Sequence, residues 1–327
     1  MRRQARIHRI DRVQVMVVGS FAVGMTVRIP RLPVLGETLM GDDFNLGPGG
    51  KGSNMAIAVS RLGITAGIIA TVGDDSFGDM AFDRLALEGV DTQGLRRVSG
   101  WKTAVGLVYL LPTGQNVIGS YAGAFVCLGA QDVRGAADRI RSADVLIVEL
   151  GAMDDAIEEA IHVAAESETQ VILNPAPARP IAAELLRHVD YFTPNETEAR
   201  ILLGLSPDDT SVPAGQLARG LRDLGPRTVI VTRGERGCAI DGPDGKYELP
   251  SFPVRSLDTV GAGDAFSGGL AAALVRGTVG IDAYRWASAT AALSTTAIGA
   301  VEGLPNSSHV EAALEDWGRE GRADGSK

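Results

Sequence analysis

The chain has 327 residues, 45% of them hydrophobic and 22% charged, with a formal net charge of −9, a balance that suits one large globular domain with a small appendage. The acidic charge argues against a general nucleic-acid surface, and 5% aromatics leave little for stacking on single strands. No apolar run approaches the ~18 residues needed to cross a bilayer, and two distant cysteines, Cys127 and Cys238, read as reduced thiols of a cytoplasmic protein.

In chain order, the basic stretch "MRRQARIHRIDR" and the apolar residues after it have the outline of a signal peptide. Gln14 and the pair Gly19-Ser20 interrupt the apolar run, and "VMVVG" (15–19) reads better as a buried first strand ending in a tight loop. Residues 1–12 are then a solvated end. Residues 26–46 carry Pro30 and Pro33 and no helical period. Further strands are expected at 66–73, 144–150, 169–174, 191–194 and 227–232, and helices at 52–63, 77–89, 154–167 and 181–189. Residues 103–121 read as a hairpin around Pro112-Thr113-Gly114. The tail 319–327 is a second solvated end. This alternation predicts an α/β fold: a Rossmann-like, mostly parallel sheet flanked by helices, in one domain over 13–318. The segments 22–48 and 103–125 are expected to form a small β-sheet lid. A lid serves a cleft, and its exposed edges would suit a dimer partner.

Four stretches carry candidate chemistry. "LDTVGAGDAFSGG" (257–269) sets Gly261, Ala262 and Gly263 before an apolar helix, with Asp264 at the junction. Free amides at a helix start, unobstructed by side chains, form a cradle for phosphate, and an adjacent carboxylate is a candidate base. An Asp capping a helix after a glycine turn is the plainer alternative. "NLGPGGKGSNMAIA" (45–58) fails the G-x-x-x-x-G-K-[ST] phosphate-loop pattern at both ends. What remains is a glycine loop presenting Lys51 and Asn54 at a helix start, suited to a polyhydroxylated ligand. In "TPNETEA" (193–199), Asn195 and Glu198 share a helix face and fit either water around Mg²⁺ or a capping box. "TRGERG" (232–237) is a nucleotide-side loop or a hairpin turn. His8, His162, His188 and His309 form no metal or triad set, and no G-x-S-x-G elbow occurs.

Together these stretches resemble the ribokinase family of sugar kinases, within the phosphofructokinase-B superfamily. The likeness runs from about residue 14 to 318 and includes "GGKGSN" (49–54), "NPAPAR" (174–179), "TPNETEA", "TRGERG" and "DTVGAGDAF" (258–266) in the family's order. The resemblance implies an ATP-dependent carbohydrate kinase with a ribokinase-like fold. It makes Asp264 the catalytic base and Gly261, Ala262 and Gly263 the anion hole. Gly50, Lys51, Gly52, Ser53 and Asn54, with Asp264, would bind the acceptor. Asn195, Thr232, Arg233, Gly234, Glu235, Arg236, Gly237, Gly263 and Ser288 would bind ATP. Asn195 and Glu198 would organise Mg²⁺ through water, and Asp258, Val260, Ser294, Ala297, Gly299 and Gly303 fall on the K⁺ positions. Homodimerisation through the lid is a further implication.

The departures concern the acceptor. Three polar ribose contacts of the family fall here on Ala22, Gly24 and Gly151, so free ribose is not the expected substrate. A widened cleft would take a larger or substituted sugar, or a nucleoside. Arg28, in the lid, would meet an anionic group or simply solvent. A non-catalytic sensor of the same fold is the rival reading, which the intact Asp264, Asn195 and Glu198 disfavour.

Overall fold

Each face of a parallel strand must be covered when crossover helices pack on both sides, and the first strand shows the result. All four residues of β1 (Val15–Val18) are buried, with Val15 and Val17 in one core cluster and Met16 and Val18 in the other. The protein, described by a computed structural model over residues 8–113 and 115–324, continues with β2 (Ala22–Arg28), β3 (Asp43–Gly49), α1 (Lys51–Arg61), β4 (Ala66–Gly73), α2 (Ser76–Leu87), β5 (Asp91–Val98), β6 (Ala104–Leu110) and β7 (Asn116–Tyr121). Next come α3 (Ala130–Gly135), α4 (Ala137–Arg141), β8 (Val145–Glu149), α5 (Asp154–Ala165), β9 (Gln170–Asn174), α6 (Ala183–Leu186), β10 (Tyr191–Phe192) and α7 (Glu196–Leu202). The chain ends with α8 (Ala214–Arg222), β11 (Thr228–Thr232), β12 (Cys238–Gly242), β13 (Gly245–Leu249), α9 (Ala262–Val275), α10 (Gly280–Ser294) and α11 (Ser307–Asp324).

The main sheet has the order β13-β12-β11-β10-β9-β8-β1-β4-β5. It is parallel except for β12 and β13, which fold back antiparallel on β11. Helices α1, α2, α9 and α10 cover one face and α5 and α8 the other. A separate four-stranded sheet, β3-β2-β6-β7, is the lid. Its middle pair, β2 and β6, is parallel and both outer pairs are antiparallel. The expected hairpin is β6–β7, with Leu111 N donating to Gln115 O at 2.9 Å; Gly114 lies outside the described residues.

Three expectations need correcting. Residues 8–12 are not a free end. His8 exchanges hydrogen bonds with Thr92, Ile10 N donates to Asp91 Oδ2 at 2.6 Å, and Arg12 pairs with Asp144 at 3.0 Å, so this stretch is tied to the sheet's edge. At the other end α11 runs to Asp324, into the stretch expected as a solvated tail; residues 1–7 and 325–327 lie outside the described residues. The helix expected at 181–189 shrinks to Ala183–Leu186; past it His188 N bonds back to Leu185 O and Asp190 N already joins Val171 O of β9, so the chain has turned toward the sheet.

Candidate active site

Two helix N-termini meet over the carboxyl edge of the sheet, where ligands bind in open α/β folds. The first belongs to α1. Gly50 precedes it at φ 94°, and a Cβ there would stand 2.7–2.8 Å from the backbone of Ser20, Phe21 and Ala22, so only glycine permits this approach. Gly52 lies equally close to Gly19 and Ser20, and Ser53 N donates to Ser20 O at 2.9 Å. Ser53 Oγ donates back to Gly49 O at 2.6 Å. Helix α1 is thereby locked onto the β1–β2 loop with Lys51 and Asn54 in its first turn.

The second N-terminus is α9's. Gly261 caps it at φ 80° and sits against Ala300, 3.0 Å from that residue's Cβ to a Cβ at 261. Asp264, 5% exposed, lies in the first turn, and its Oδ2 accepts from Asn54 Nδ2 at 2.8 Å. Asn54 Oδ1 is buried and has no hydrogen-bond partner among the described residues, which leaves it as an acceptor for a ligand hydroxyl. Burial raises the pKa of Asp264; the Lys51 charge and the Asn54 hydrogen bond pull the other way. A carboxylate in this state is more basic than an ordinary one, as a general base requires.

Lys51 serves more than Asp264. Its charge also reaches Glu198 and Glu149. Asn195 and Glu198 form a reciprocal capping box on α7: Glu198 N donates to Asn195 Oδ1 at 2.8 Å, and Asn195 N to Glu198 Oε2 at 2.9 Å. Burial raises the Glu198 pKa, partly offset by Asn195 and Lys51, while Asp264 adds to the rise.

A cavity of about 780 Å³ opens beside α9. It is lined by Asn195, Thr232, Arg233, Gly234, Glu235, Gly237, Ser288 and, from the start of α9, Ala262 and Gly263. Of the expected nucleotide residues, Arg236 is not on its wall; it pairs with Glu196. The "TRGERG" stretch proves to be the β11–β12 connection as well, with Thr232 facing Cys238 in register. Sequence reasoning missed Ser251, Phe252, Pro253, Val254 and Ser256 on this wall, and also Phe266 and Thr295. An irregular apolar segment between elements gives no periodic signal.

Of the six residues assigned to K⁺, Asp258 and Val260 precede α9, Ser294 ends α10, and Ala297, Gly299 and Gly303 lie in the loop after it. Asp258 Oδ1 accepts from Val260 N at 3.0 Å and its Oδ2 from Gly299 N at 2.9 Å. A Cβ on Gly303 would lie 2.0 Å from the Ser294 carbonyl oxygen, so these chain segments touch. Ala297 is half-buried.

The supposed widening at Gly151 is corrected. Glu149, 1% exposed, accepts from Ser20 N at 2.7 Å and Gly151 N at 2.6 Å. A Cβ at 151 would stand 2.5 Å from its Oε2 and 2.7 Å from the Phe125 ring. The space is filled, and burial raises the Glu149 pKa.

Against the first turns of α9 lies a buried polar cluster. Asn174 Nδ2 donates to Ser267 Oγ at 3.2 Å, Thr193 Oγ1 lies 3.2 Å from the same oxygen, and Ser267 Oγ donates to Gly263 O at 3.2 Å.

Comparison with known proteins bears on the family and the fold. Residues 13–307 match the model of the pfkB family carbohydrate kinases. A ribokinase of Haemophilus influenzae is 34% identical over 289 residues, 88% of this chain and 94% of its own. A deoxyribokinase of Salmonella typhi is 32% identical over 295 residues, 90% of this chain and 96% of its own. The solved structure of Arabidopsis thaliana ribokinase complexed with ribose and ATP superimposes with a TM-score of 0.82 at 27% identity, over 93% of this chain and 99% of that one.

Proposed function

Because the chain belongs to the pfkB family of carbohydrate kinases, we propose that it transfers the terminal phosphoryl group of ATP to a hydroxymethyl group of a sugar-like acceptor other than free ribose. The observation that carries this reading is the pairing of buried Asp264 with Asn54, 2.8 Å apart, at a helix N-terminus that opens on the 780 Å³ cavity. Asn54 Oδ1 and Lys51 orient the acceptor. Asp264 takes the hydroxyl proton as the new O–P bond forms and the bond to the departing ADP breaks. The amides of Gly261, Ala262 and Gly263 stabilise charge on the phosphoryl oxygens in transit. Such catalysis is mostly positioning and electrostatics.

Among the described residues no group of three or more His, Cys, Asp or Glu side chains could hold a metal ion unaided. One carboxylate and one amide oxygen, from Glu198 and Asn195, suit a hard cation that keeps most of its waters. When bound there with the nucleotide phosphates, Mg²⁺ supplies charge neutralisation. The reading extends to K⁺ at the loops joined by Asp258, and to a second copy of the chain on the outer face of the lid. Support for the latter is that Phe44, Leu46, Leu107, Tyr109, Val117 and Tyr121 share one lid face by register and are all exposed.

The test is ATP consumption across a panel of sugars and nucleosides, with and without K⁺, for the wild type and Asp264→Asn. Turnover on at least one acceptor and a loss of at least ~10²-fold in the variant, the low end for a general base, are expected. Near-normal turnover of Asp264→Asn removes Asp264 from the mechanism; ligand binding without turnover on any acceptor favours the sensor.

A further inference from the structure

The lid carries an unusual feature on its inner face. Gly24 of β2 pairs in register with Gly47 of β3 on one side and Gly106 of β6 on the other. Directly paired residues in a sheet point to the same face, so three glycines form one bare strip across three strands. A Cβ at Gly106 would meet nothing within 4 Å, and one at Gly24 only Gly47 O at 3.8 Å. Steric crowding therefore does not demand these glycines, and none has a left-handed φ. Glycine inside a strand weakens it, and often marks a place where a ligand approaches the backbone closely. The strip looks across the cleft: Glu302, from the loop whose Gly299 is tied to Asp258, comes within 3.9 Å of a Cβ built on Gly47.

On the same face, the row nearer the main domain is Ala22, Gly49 and Ala104, and the row further out is Thr26, Asn45 and Val108. Ser120 of β7 stands beside Gly106. The inner wall is thus bare at its centre, with Ser120 level with the glycines; further out it is polar on β2 and β3, at Thr26 and Asn45, and apolar on β6 and β7, at Val108 and Ile118. A free sugar placed there would turn hydroxyls toward a surface without side-chain partners, and buried hydroxyls left unpaired are costly. A flat ring instead gains close dispersion contact with exposed peptide planes, while Thr26, Asn45 and Ser120 stand where its edge groups need partners.

We propose that the glycine strip is a specificity site, and that the acceptor is a nucleoside: a sugar carrying the reacting hydroxymethyl group plus a planar heterocycle that lies on Gly24, Gly47 and Gly106. This rests on the kinase reading above. The experiment compares inosine, guanosine, adenosine and cytidine with ribose, deoxyribose and hexoses as acceptors for the full chain. At least one nucleoside exceeds every free sugar in kcat/KM by 100-fold or more. Gly24→Val and, independently, Gly106→Val place a side chain where the structure leaves open space, so both fold; each raises the nucleoside KM at least 10-fold while the KM for ATP moves less than 3-fold. A free sugar used as well as or better than every nucleoside overturns the inference and leaves the kinase reading standing. So does an unchanged nucleoside KM in both valine variants. No turnover on any acceptor sinks the kinase reading itself.

Discussion

Asp264 shows how much a single position can carry. With Asp264 as the proposed base, activity needs its carboxylate ionised, and burial places its pKa above the ordinary carboxylate value. The acid limb of kcat/KM therefore lies at higher pH than for an exposed aspartate. Lys51 holds that pKa down, so Lys51→Met is expected to move the acid limb to still higher pH, read from a pH–rate profile. An unmoved limb in an active variant would detach Lys51 from the base. The sign for stability follows from the same shift. A carboxyl whose folded pKa is raised helps the fold at low pH and loses that contribution as pH rises through the folded value. Asp264→Asn should then be at least as stable as the wild type at neutral pH, by thermal unfolding. At this scale the sequence was legible where a residue type had a chemical reason, as at Lys51, Asn54 and Asp264. It misled at Gly151, because the Glu149 carboxylate that fills its space comes from two residues earlier and turns back, which no spacing rule encodes.

Helix α9 is the element on which the site turns. Its sides are small residues, and Gly268 lets it approach α1 so closely that a Cβ there would stand 2.8 Å from the Cβ of Ala58. Smooth alanine and glycine surfaces pack tightly but fix rotation poorly. The directional contacts are Asn54 to Asp264 and Asn174 with Thr193 to Ser267. Asn174 Oδ1 is buried with no hydrogen-bond partner among the described residues, so an apolar residue of similar size would be tolerated for stability alone. Asn174→Leu is expected to keep or raise the melting temperature while kcat falls about 10- to 100-fold, the cost of a small misplacement of reacting groups. Ser267→Ala should do the same to kcat. A kcat within about 3-fold of wild type in both would show that α9 needs no such pins. Of the elements, buried parallel strands and amphipathic helices such as α5 were readable from sequence. Edge strands were not: β5 and β13 bury only part of their residues, so they lack the continuous apolar run that marked the interior strands.

At the scale of the molecule, the lid has two unlike faces. The inner one is glycine-rich, and the outer one presents Phe44, Leu107, Val117 and Tyr121 to solvent. Contiguous exposed apolar surface of this kind marks an interaction site. With a second copy as the occupant, sedimentation is expected to give a dimer, and Leu107→Glu a monomer; a monomeric wild type at micromolar concentration would end that part of the reading. The α/β plan, with helices on both faces of the sheet, was legible from the alternation of elements, and the presence of a lid from the prolines and lost helical period that set residues 26–46 apart. The parallel pairing of β2 with β6 was not, since it joins residues 82 positions apart, as Ala22 with Ala104, and leaves no local trace.

The division of labour along the chain has a practical outcome. Everything proposed to touch the acceptor, Asp264 apart, comes before residue 121, whereas the cavity wall beside α9 begins at Asn195. On the proposed reading, choice of alcohol and choice of phosphate donor are therefore written in separate stretches of the gene. Exchanging residues 22–49 and 104–121 between relatives should reassign one preference while the other is inherited unchanged.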